Sequence, residues 1–347
     1  MPRAGASSRP PGATEPPLAV LGAGSWGTAL AVHLARGGHR VRLWGRDPVH
    51  LGRLARERAN ARYLPGVALP EGLEPVAALE AALAGGAEVL VAVPSAGFAP
   101  LLEALRPLWE AGRALAWATK GFEHGGERLL HEVVAERLGA AVPVAVVSGP
   151  SFAAEVAAGL PTAVTVAGHP EAARAWARRL HHGAFRAYLS DDLVGVEVGG
   201  AVKNVMAIAA GVSDGLGFGA NARAALVTRG LAEVTRLGLA LGGRRETFMG
   251  LAGLGDLVLT CTDDQSRNRR LGLALARGAA LAEALAGIGQ AVEGVATAAA
   301  VRRLGARLGV EMPICEQVDR LLKGRCSAQE AVQALLARSQ KEEFAGF

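Results

Sequence analysis

Two lysines are the first residues that ask for an explanation. The 347-residue chain carries 37 basic residues, yet only four are lysines: Lys120, Lys203, Lys323 and Lys341. Charge that need only be charge is supplied by arginine. Lys203 lies in Val198-Gly-Gly-Ala-Val-Lys203-Asn204-Val-Met206, which holds no other charged residue. An idle ammonium in an apolar helix is costly, and lysine is the basic side chain whose pKa burial can bring into a proton-transferring range. Gly199 and Gly200 fall on the helix face of Lys203 and are expected to leave open space beside it. The plainer alternative is a buried ion pair, for instance with Glu197. Lys120, in Ala118-Thr-Lys120-Gly121, follows an apolar run, so it falls at the carboxyl end of a strand, where parallel sheets bind ligands. Its alternative is an ordinary surface lysine.

A second set of residues suits a dinucleotide. Gly22-Ala-Gly24-Ser25-Trp26-Gly27 follows the apolar run Leu18–Leu21 and opens a helical stretch. Gly22 permits a tight turn, Gly24 lets a pyrophosphate approach the backbone, and Gly27 lets helix and strand pack closely. The helix start adds free N–H groups and a positive dipole end. A glycine-rich turn needed only for packing is the alternative. After the next apolar run comes Trp44-Gly45-Arg46-Asp47. A strict NAD site places an acid here for the ribose hydroxyls, whereas Arg46 can face the 2′-phosphate of NADP. NADP is therefore expected, with NAD left open. Arg46 equally suits a solvated loop, and Asp47 with Pro48 equally suits a helix start.

Two further runs suit phosphate or carbonyl oxygens. Ser148-Gly149-Pro-Ser151-Phe-Ala153-Ala-Glu155 places small residues ahead of a helix start, a pattern shared with any strand–turn–helix cap. Gly253-Leu-Gly-Asp256-Leu is followed by Cys261-Thr-Asp-Asp-Gln-Ser266-Arg267-Asn268. A hydroxyl, a guanidinium and an amide at a helix start suit a phosphate, which arginine grips through two hydrogen bonds; a helix cap with solvated arginines is the alternative. Gln290-Ala291-Val292-Glu293-Gly294 reads by itself as a loop before a helix. The eight histidines are scattered, and metalloprotease, nucleophile-elbow and P-loop patterns are absent. Three cysteines, Cys261, Cys315 and Cys326, fit neither a disulfide framework nor a zinc site; free thiols in a reducing cytoplasm are expected, and no metal.

These groups need a scaffold, and the composition supports one. Half the residues are hydrophobic and 20% are charged, which excludes a disordered chain. At ~100–200 residues per domain the length favours two domains. The net charge of +5 is spread along the chain, without the basic stripe and stacking aromatics of a nucleic-acid binder. Residues 1–17 are rich in Pro, Gly, Ala and Ser and read as a disordered tail. No uncharged run reaches the ~18 apolar residues of a membrane span, so no membrane insertion is expected. From residue 18 to about 190, short apolar runs (Leu18–Leu21, Val41–Trp44, Glu88–Val93, Ala114–Trp117, Val142–Val147, Thr162–Ala167) alternate with helical stretches (Ser25–Arg36, Glu127–Leu138, Glu171–Leu180). That alternation predicts a parallel sheet covered on both faces. From 191 to 347 the reading is all-helical, with helices over 192–212, 221–242, 266–277, 293–308, 312–322 and 327–338. The fold class is α/β: a doubly wound Rossmann domain at 18–190 and a helical substrate-binding domain at 191–347.

Taken in order, GAGSWGTALA, WATKG, VSGPSFAAEV, GVEVGGAVKNVMAIAAG, NARAALVTRGLAE, GLGDLVLTC, SRNRRLG and QAVEGV resemble bacterial NAD(P)-dependent glycerol-3-phosphate dehydrogenase. The first motif is common to many dehydrogenases; GGAVKNV together with the later SRN is far more specific. The resemblance implies oxidation of sn-glycerol 3-phosphate to dihydroxyacetone phosphate and its reversal, with NAD(P), in the service of phospholipid synthesis, by a cytoplasmic homodimer. It implies that Lys203 is the proton acceptor. It implies substrate contacts at Lys120, Gly149, Ser151, Lys203, Asp256, Ser266, Arg267 and Asn268. Cofactor contacts are implied at Ser25, Trp26, Arg46, Lys120, Ala153, Arg267, Ala291 and Glu293, beside Gly22, Gly24 and Gly27. Position 291 departs from the family in being Ala where a larger aliphatic residue is frequent. Two rivals remain at this stage. A 3-hydroxyacid or 6-phosphogluconate-type dehydrogenase also joins a Rossmann domain to a helix-borne lysine, and a non-catalytic NADP-sensing module would need only the glycine loop.

Overall fold

The computed structural model describes residues 16–340; the expected tail, 1–17, lies almost wholly outside them. Its strands are β1 (Leu18–Leu21), β2 (Val41–Trp44), β3 (Ala59–Asn60), β4 (Leu64–Ala68), β5 (Leu73–Val76), β6 (Glu88–Val91), β7 (Leu115–Trp117), β8 (Val144–Ser148), β9 (Thr162–Gly168) and β10 (Phe185–Ser190). Eight form one sheet in the order β10-β9-β8-β7-β6-β1-β2-β5, and β3 with β4 makes a separate hairpin. β1 shows why the central strands are mostly apolar. All four of its residues are buried, and successive side chains point to opposite faces. Leu18 and Val20 join the core that holds Leu30, Leu34 and Trp176; Ala19 and Leu21 join the one that holds Phe98, Leu102 and Trp117. Helices on both faces leave no room for a polar position.

The sheet differs from the sequence expectation in two ways. β8 and β9 pair antiparallel, with Val146 opposite Ala167, while β9 and β10 run parallel to each other. The cause is the short helix Ala153–Ala158 after β8, ended by Gly159 in the left-handed region at φ 78°. Six helical residues span ~9 Å, too little to carry the chain back along a strand of ~16 Å, so it turns and runs down instead. The second difference is the strands that hydropathy did not mark. β5 is Leu-Glu-Pro-Val, with Glu74 exposed. It is an edge strand, where proline and charge are tolerated. β10 is the opposite edge and exposes Arg186, Tyr188 and Leu189.

After Ser190 the described residues form helices only. Asp192 starts the first of them, Leu193–Gly215: one carboxylate oxygen accepts from the Gly195 N–H at 2.8 Å, the other from the Arg244 N–H and the Thr247 hydroxyl. This helix has the length and mean hydropathy of a membrane span, but 89% of its apolar window is buried inside the protein. A helix that is apolar all round is a core helix, and here the surrounding helices pack on every side of it. Helices Gly219–Ala240, Arg267–Ala276, Glu293–Leu308, Pro313–Leu322 and Ala328–Leu336 follow. Three more, Arg245–Met249, Asp256–Thr262 and Leu281–Ile288, lie where the sequence reading placed none. The expected helix from Glu127 begins only at Leu130, and Glu127 instead binds Arg303 and Arg307 of the helical half.

One buried carboxylate in this bundle titrates near neutrality. Glu233 is 1% exposed and accepts from the Ile314 and Cys315 N–H groups at the start of Pro313–Leu322. Burial pushes its pKa up to about 7, against the pull of those N–H groups. A raised folded-state pKa means that the folded protein holds the proton more tightly. Its stabilising contribution is full below the ordinary carboxyl range and is lost as pH rises through about 7. Glu233→Gln removes the titration and one of the two acceptors. The stability gap between parent and variant, from urea midpoints at pH 5 and pH 8, should therefore narrow at the higher pH by about 1–3 kcal/mol. A gap independent of pH would show that Glu233 does not titrate in this range.

Candidate active site

The glycine loop sits between β1 and the helix Ser25–Arg36, at the carboxyl edge of the sheet. Gly22 has φ +132°, and a Cβ there would lie 2.7 Å from the Ala92 carbonyl. A Cβ on Gly27 would lie 1.8 Å from the Gly22 oxygen. These two glycines allow the turn and the close helix approach. Gly24 differs, because a Cβ there meets nothing within 4 Å. The space above the helix N-terminus is open to a pyrophosphate, and Gly24 has no side-chain cap to block it. Ser25 Oγ donates to Gln290 Oε1 at 3.3 Å, and Trp26 Nε1 is buried without a partner. Arg46 is exposed beyond β2, while Asp47 accepts from the Val49 and His50 N–H groups and so starts the next helix.

Two strands along, Lys120 follows β7 and Gly149 follows β8. Lys120 Nζ donates to the Gly149 carbonyl at 3.0 Å and to Asp256 Oδ2 at 2.5 Å. Lys203 Nζ donates to Asp256 Oδ1 and, at 2.8 Å, to Thr260 Oγ1. One carboxylate, 1% exposed, thus sits between two ammonium groups, one from each half of the chain. Two cations against one anion leave a net positive charge that suits an anionic ligand. Burial lowers the Lys203 pKa to about 7, helped by the Lys120 charge and opposed by Asp256.

The expected open space beside Lys203 is not there. A Cβ on Gly199 would lie 2.5 Å from the Ala252 oxygen, and one on Gly200 would lie 2.7 Å from Ser148 Oγ. Both glycines are needed because neighbouring segments press directly on the helix, which is how Asp256 and β8 come within reach of Lys203. Nor is Glu197 the partner of Lys203. It binds His131 Nδ1 at 2.5 Å and the His131 N–H at 3.1 Å.

The Ser-Arg-Asn run lies beside this cluster through Asn204. Ser266 starts the helix Arg267–Ala276 by accepting from the Arg269 N–H at 3.2 Å. Asn268 donates to Asn204 Oδ1 and accepts from the Gly294 N–H, both at 2.9 Å. The arginines do not behave alike. Arg269 is buried and tied to Asp214, Asp264 and the Cys261 carbonyl, and Arg270 is exposed. Arg267 is partly buried, and its pKa is lowered by that burial, with Glu293 acting against it. Glu293 accepts from the Ser95 N–H at 3.0 Å and from the Ser95 hydroxyl, so it reaches the start of the helix that follows β6. Ala291 is exposed. Ser151 donates to the Gly149 carbonyl at 2.9 Å, and Ala153 opens the short helix beyond it. Thr260 and Ser95 were not singled out in the sequence, whereas Ser148 and Gln290 stood there only as the first residues of their runs. Thr260 lies four residues after Asp256 on one helix face, but no helix was expected there, and Ser95 opens the helix that follows β6.

A Rossmann sheet with an open glycine loop, facing a helical domain across a lysine–carboxylate–lysine cluster, defines a two-domain protein of the dinucleotide-binding class. Family models for the N-terminus and C-terminus of NAD-dependent glycerol-3-phosphate dehydrogenase match residues 17–174 and 192–333, and the chain belongs to that family. It is 62% identical over 332 residues to a Thioalkalivibrio sulfidiphilus protein named glycerol-3-phosphate dehydrogenase (NAD(P)+), covering 95% of this chain and 100% of that one. A Nitrosococcus oceani protein of the same name is 60% identical, covering 94% and 95%. The crystal structure of glycerol-3-phosphate dehydrogenase from Coxiella burnetii superimposes with a TM-score of 0.91 at 52% identity, covering 93% of this chain and 99% of that one.

The carboxylate between the lysines gives a stability test independent of any reaction. Asp256→Asn takes the counter-charge from both lysines, which should cost about 3–5 kcal/mol in urea unfolding below pH 7, where Lys203 is still protonated in the parent. The loss should shrink as pH rises and Lys203 gives up its proton. A variant as stable as the parent at pH 7 would show that Asp256 does not hold the pair.

Proposed function

We propose that the protein interconverts sn-glycerol 3-phosphate and dihydroxyacetone phosphate with NADP or NAD. In this reading it works as a cytoplasmic homodimer and supplies glycerol 3-phosphate for phospholipid synthesis. The observation that carries the reading is the buried Lys120–Asp256–Lys203 cluster at the carboxyl edge of the sheet, in a chain of this family. Gly22, Gly24, Ser25, Trp26 and Gly27 take the pyrophosphate end of the dinucleotide, and the open space over Gly24 supports that fit. Arg46, exposed and just past β2, faces the 2′-phosphate. Ala153, Ala291, Glu293, Lys120 and Arg267 line the remainder of the cofactor path. When bound, NAD(P) supplies the hydride acceptor in one direction and the donor in the other.

The chain's own residues do the proton chemistry. Lys203, neutral in an appreciable fraction near pH 7, takes the C2 hydroxyl proton in oxidation and returns one to the carbonyl oxygen in reduction. Asp256 fixes its position, and Lys120 donates to the same oxygen and stabilises charge that develops there. Gly149 and Ser151 border the substrate on the β8 side. Arg267 offers its planar fork to the substrate phosphate, with the Ser266 hydroxyl and the helix N-terminus beside it. Asn268, with both ends of its amide engaged, holds this helix start against Asn204 and Gly294.

The direct test is oxidation of NADH and NADPH in the presence of dihydroxyacetone phosphate. Turnover with that substrate but not with 2- or 3-oxo acids is expected, and the reverse preference would overturn the reading.

Lys203→Arg tests the proton role. Arginine keeps the charge but cannot give up a proton in the working range, so kcat should fall on the order of 10²–10⁴-fold. The parent's pH profile carries the same assignment. Oxidation needs the neutral amine, so its kcat should rise with pH through about 7, and reduction needs the ammonium, so its kcat should fall there. A Lys203→Arg enzyme with near-normal kcat and an unchanged pH profile would move the proton transfer to another group.

A further inference from the structure

The hairpin of β3 and β4 carries none of the residues assigned to cofactor or substrate, yet its Asn60 reaches the glycine loop. Asn60 is fully buried. Its amide nitrogen donates to the Ala23 carbonyl at 3.1 Å and to Thr28 Oγ1 at 2.8 Å. Its oxygen accepts from the Tyr63 N–H at 3.2 Å. Ala23 and Thr28 flank Gly24-Ser25-Trp26-Gly27, so one side chain spans the stretch assigned to the pyrophosphate. The arm that carries Asn60 is itself fixed. Arg58, at its root, has a left-handed φ of 50°, and its guanidinium donates to the carbonyls of Leu69, Pro70 and Leu73. The end of β2 closes on the same loop, because a Cβ on Gly45 would lie 2.9 Å from the Ala23 Cβ.

We infer that Asn60 is a positioning residue for the dinucleotide, holding the glycine loop in its binding shape without touching the cofactor. The inference rests on the cofactor reading above and adds what keeps that loop in place. A planar trans peptide points its C=O and N–H in opposite directions. With the Ala23 carbonyl held toward the hairpin, the Gly24 N–H is turned away from it, where it can serve a phosphate oxygen. Thr28 fixes the other end of the stretch. Its own N–H donates to the Gly24 carbonyl at 3.0 Å, so holding Thr28 also sets where the helix N-terminus and its positive dipole end lie. A glycine-rich stretch left to itself takes many backbone shapes, and a segment that must be ordered on binding lowers affinity. Asn60 orders it beforehand. Two donated bonds and one accepted bond at a buried position call for an amide, since a carboxylate has no donor. The pyrophosphate is common to NAD and NADP. Asn60 therefore serves both alike, in contrast to Arg46 at the 2′-phosphate.

The test compares the full chain with Asn60→Asp, which keeps the size and the acceptor for Tyr63 but loses both donors. Asn60→Ala buries no charge, and Thr28→Val removes only the hydroxyl end of the bridge; these carry the comparison if the first variant fails to fold. Circular dichroism and thermal unfolding without cofactor check the fold. In isothermal titration calorimetry the Asn60 variants should raise the Kd for NADH and for NADPH on the order of 10–100-fold, with the ratio of the two Kd values kept within about twofold, and Thr28→Val should raise both by less. The rise in Tm that a fixed cofactor concentration gives should shrink in step. At saturating cofactor, kcat and the KM for dihydroxyacetone phosphate should stay near the parent values, because none of the Asn60 bonds goes to the lysine cluster. Folded variants that bind both cofactors as the parent does would overturn the inference and leave the cofactor reading standing. A loss confined to NADPH, or a fall in kcat with cofactor affinity intact, would overturn it too. A parent that binds neither cofactor would overturn both.

Discussion

The structure is organised around one carboxylate shared by two ammonium groups. Asp256 is buried, and each of its oxygens takes a lysine from a different half of the chain. Removing charges from water is expensive, and the pair attraction repays it only where the geometry is good and the remaining valences are filled. Here they are filled. Lys120 also reaches the Gly149 carbonyl, Lys203 also reaches Thr260, and Thr260 in turn donates to the Asp256 carbonyl oxygen. The arrangement fixes where β7, β8, the Lys203 helix and the Asp256 helix lie relative to one another. While Lys203 is protonated it also leaves one positive charge uncompensated, a surplus that suits an anion.

The same junction is tied at its other end. Glu293 reaches Ser95, and Gln290 accepts from Ser25. The chain Asn204–Asn268–Gly294 then connects that loop to the residue next to Lys203. Further out, Glu127 joins Arg303 and Arg307. The strongest ties are buried and short, whereas the outer ion pairs are half-exposed and contribute little by themselves. A ligand that engages Glu293 must compete with the Ser95 backbone N–H and hydroxyl.

Much of this was legible in the sequence, for reasons that can be named. Strands buried on both faces are apolar along nearly their whole length, so β1, β6 and β8 announce themselves. Edge strands do not. β5 carries a proline and an exposed glutamate because one side of it needs no partner, and hydropathy sees only a loop. The antiparallel turn at β9 escaped because handedness and direction depend on the length of the short helix before it, and the pattern fixes no helix end at Ala158. Lys203 and Lys120 stood out because this chain elsewhere prefers arginine. Thr260 did not, because a threonine in a helix is unremarkable until the residue it faces is known.

Gly199 and Gly200 show where reading residue types reaches its limit. The absence of a side chain was visible, and so was its position on the face of Lys203. A missing Cβ can serve an empty space or an approaching backbone, and the sequence does not distinguish the two. The structure fills both positions, with the Ala252 carbonyl against Gly199 and the Ser148 hydroxyl against Gly200. That close approach is what makes the lysine useful. Held off by a methyl group at position 199, the wide turn Leu251–Gly255 that precedes Asp256 would sit farther from the helix. Lys203 would then keep its burial and lose its counter-charge. In the proposed reaction the glycines therefore act through distance: they let a carboxylate come close enough to hold a lysine whose pKa burial has already lowered to about 7.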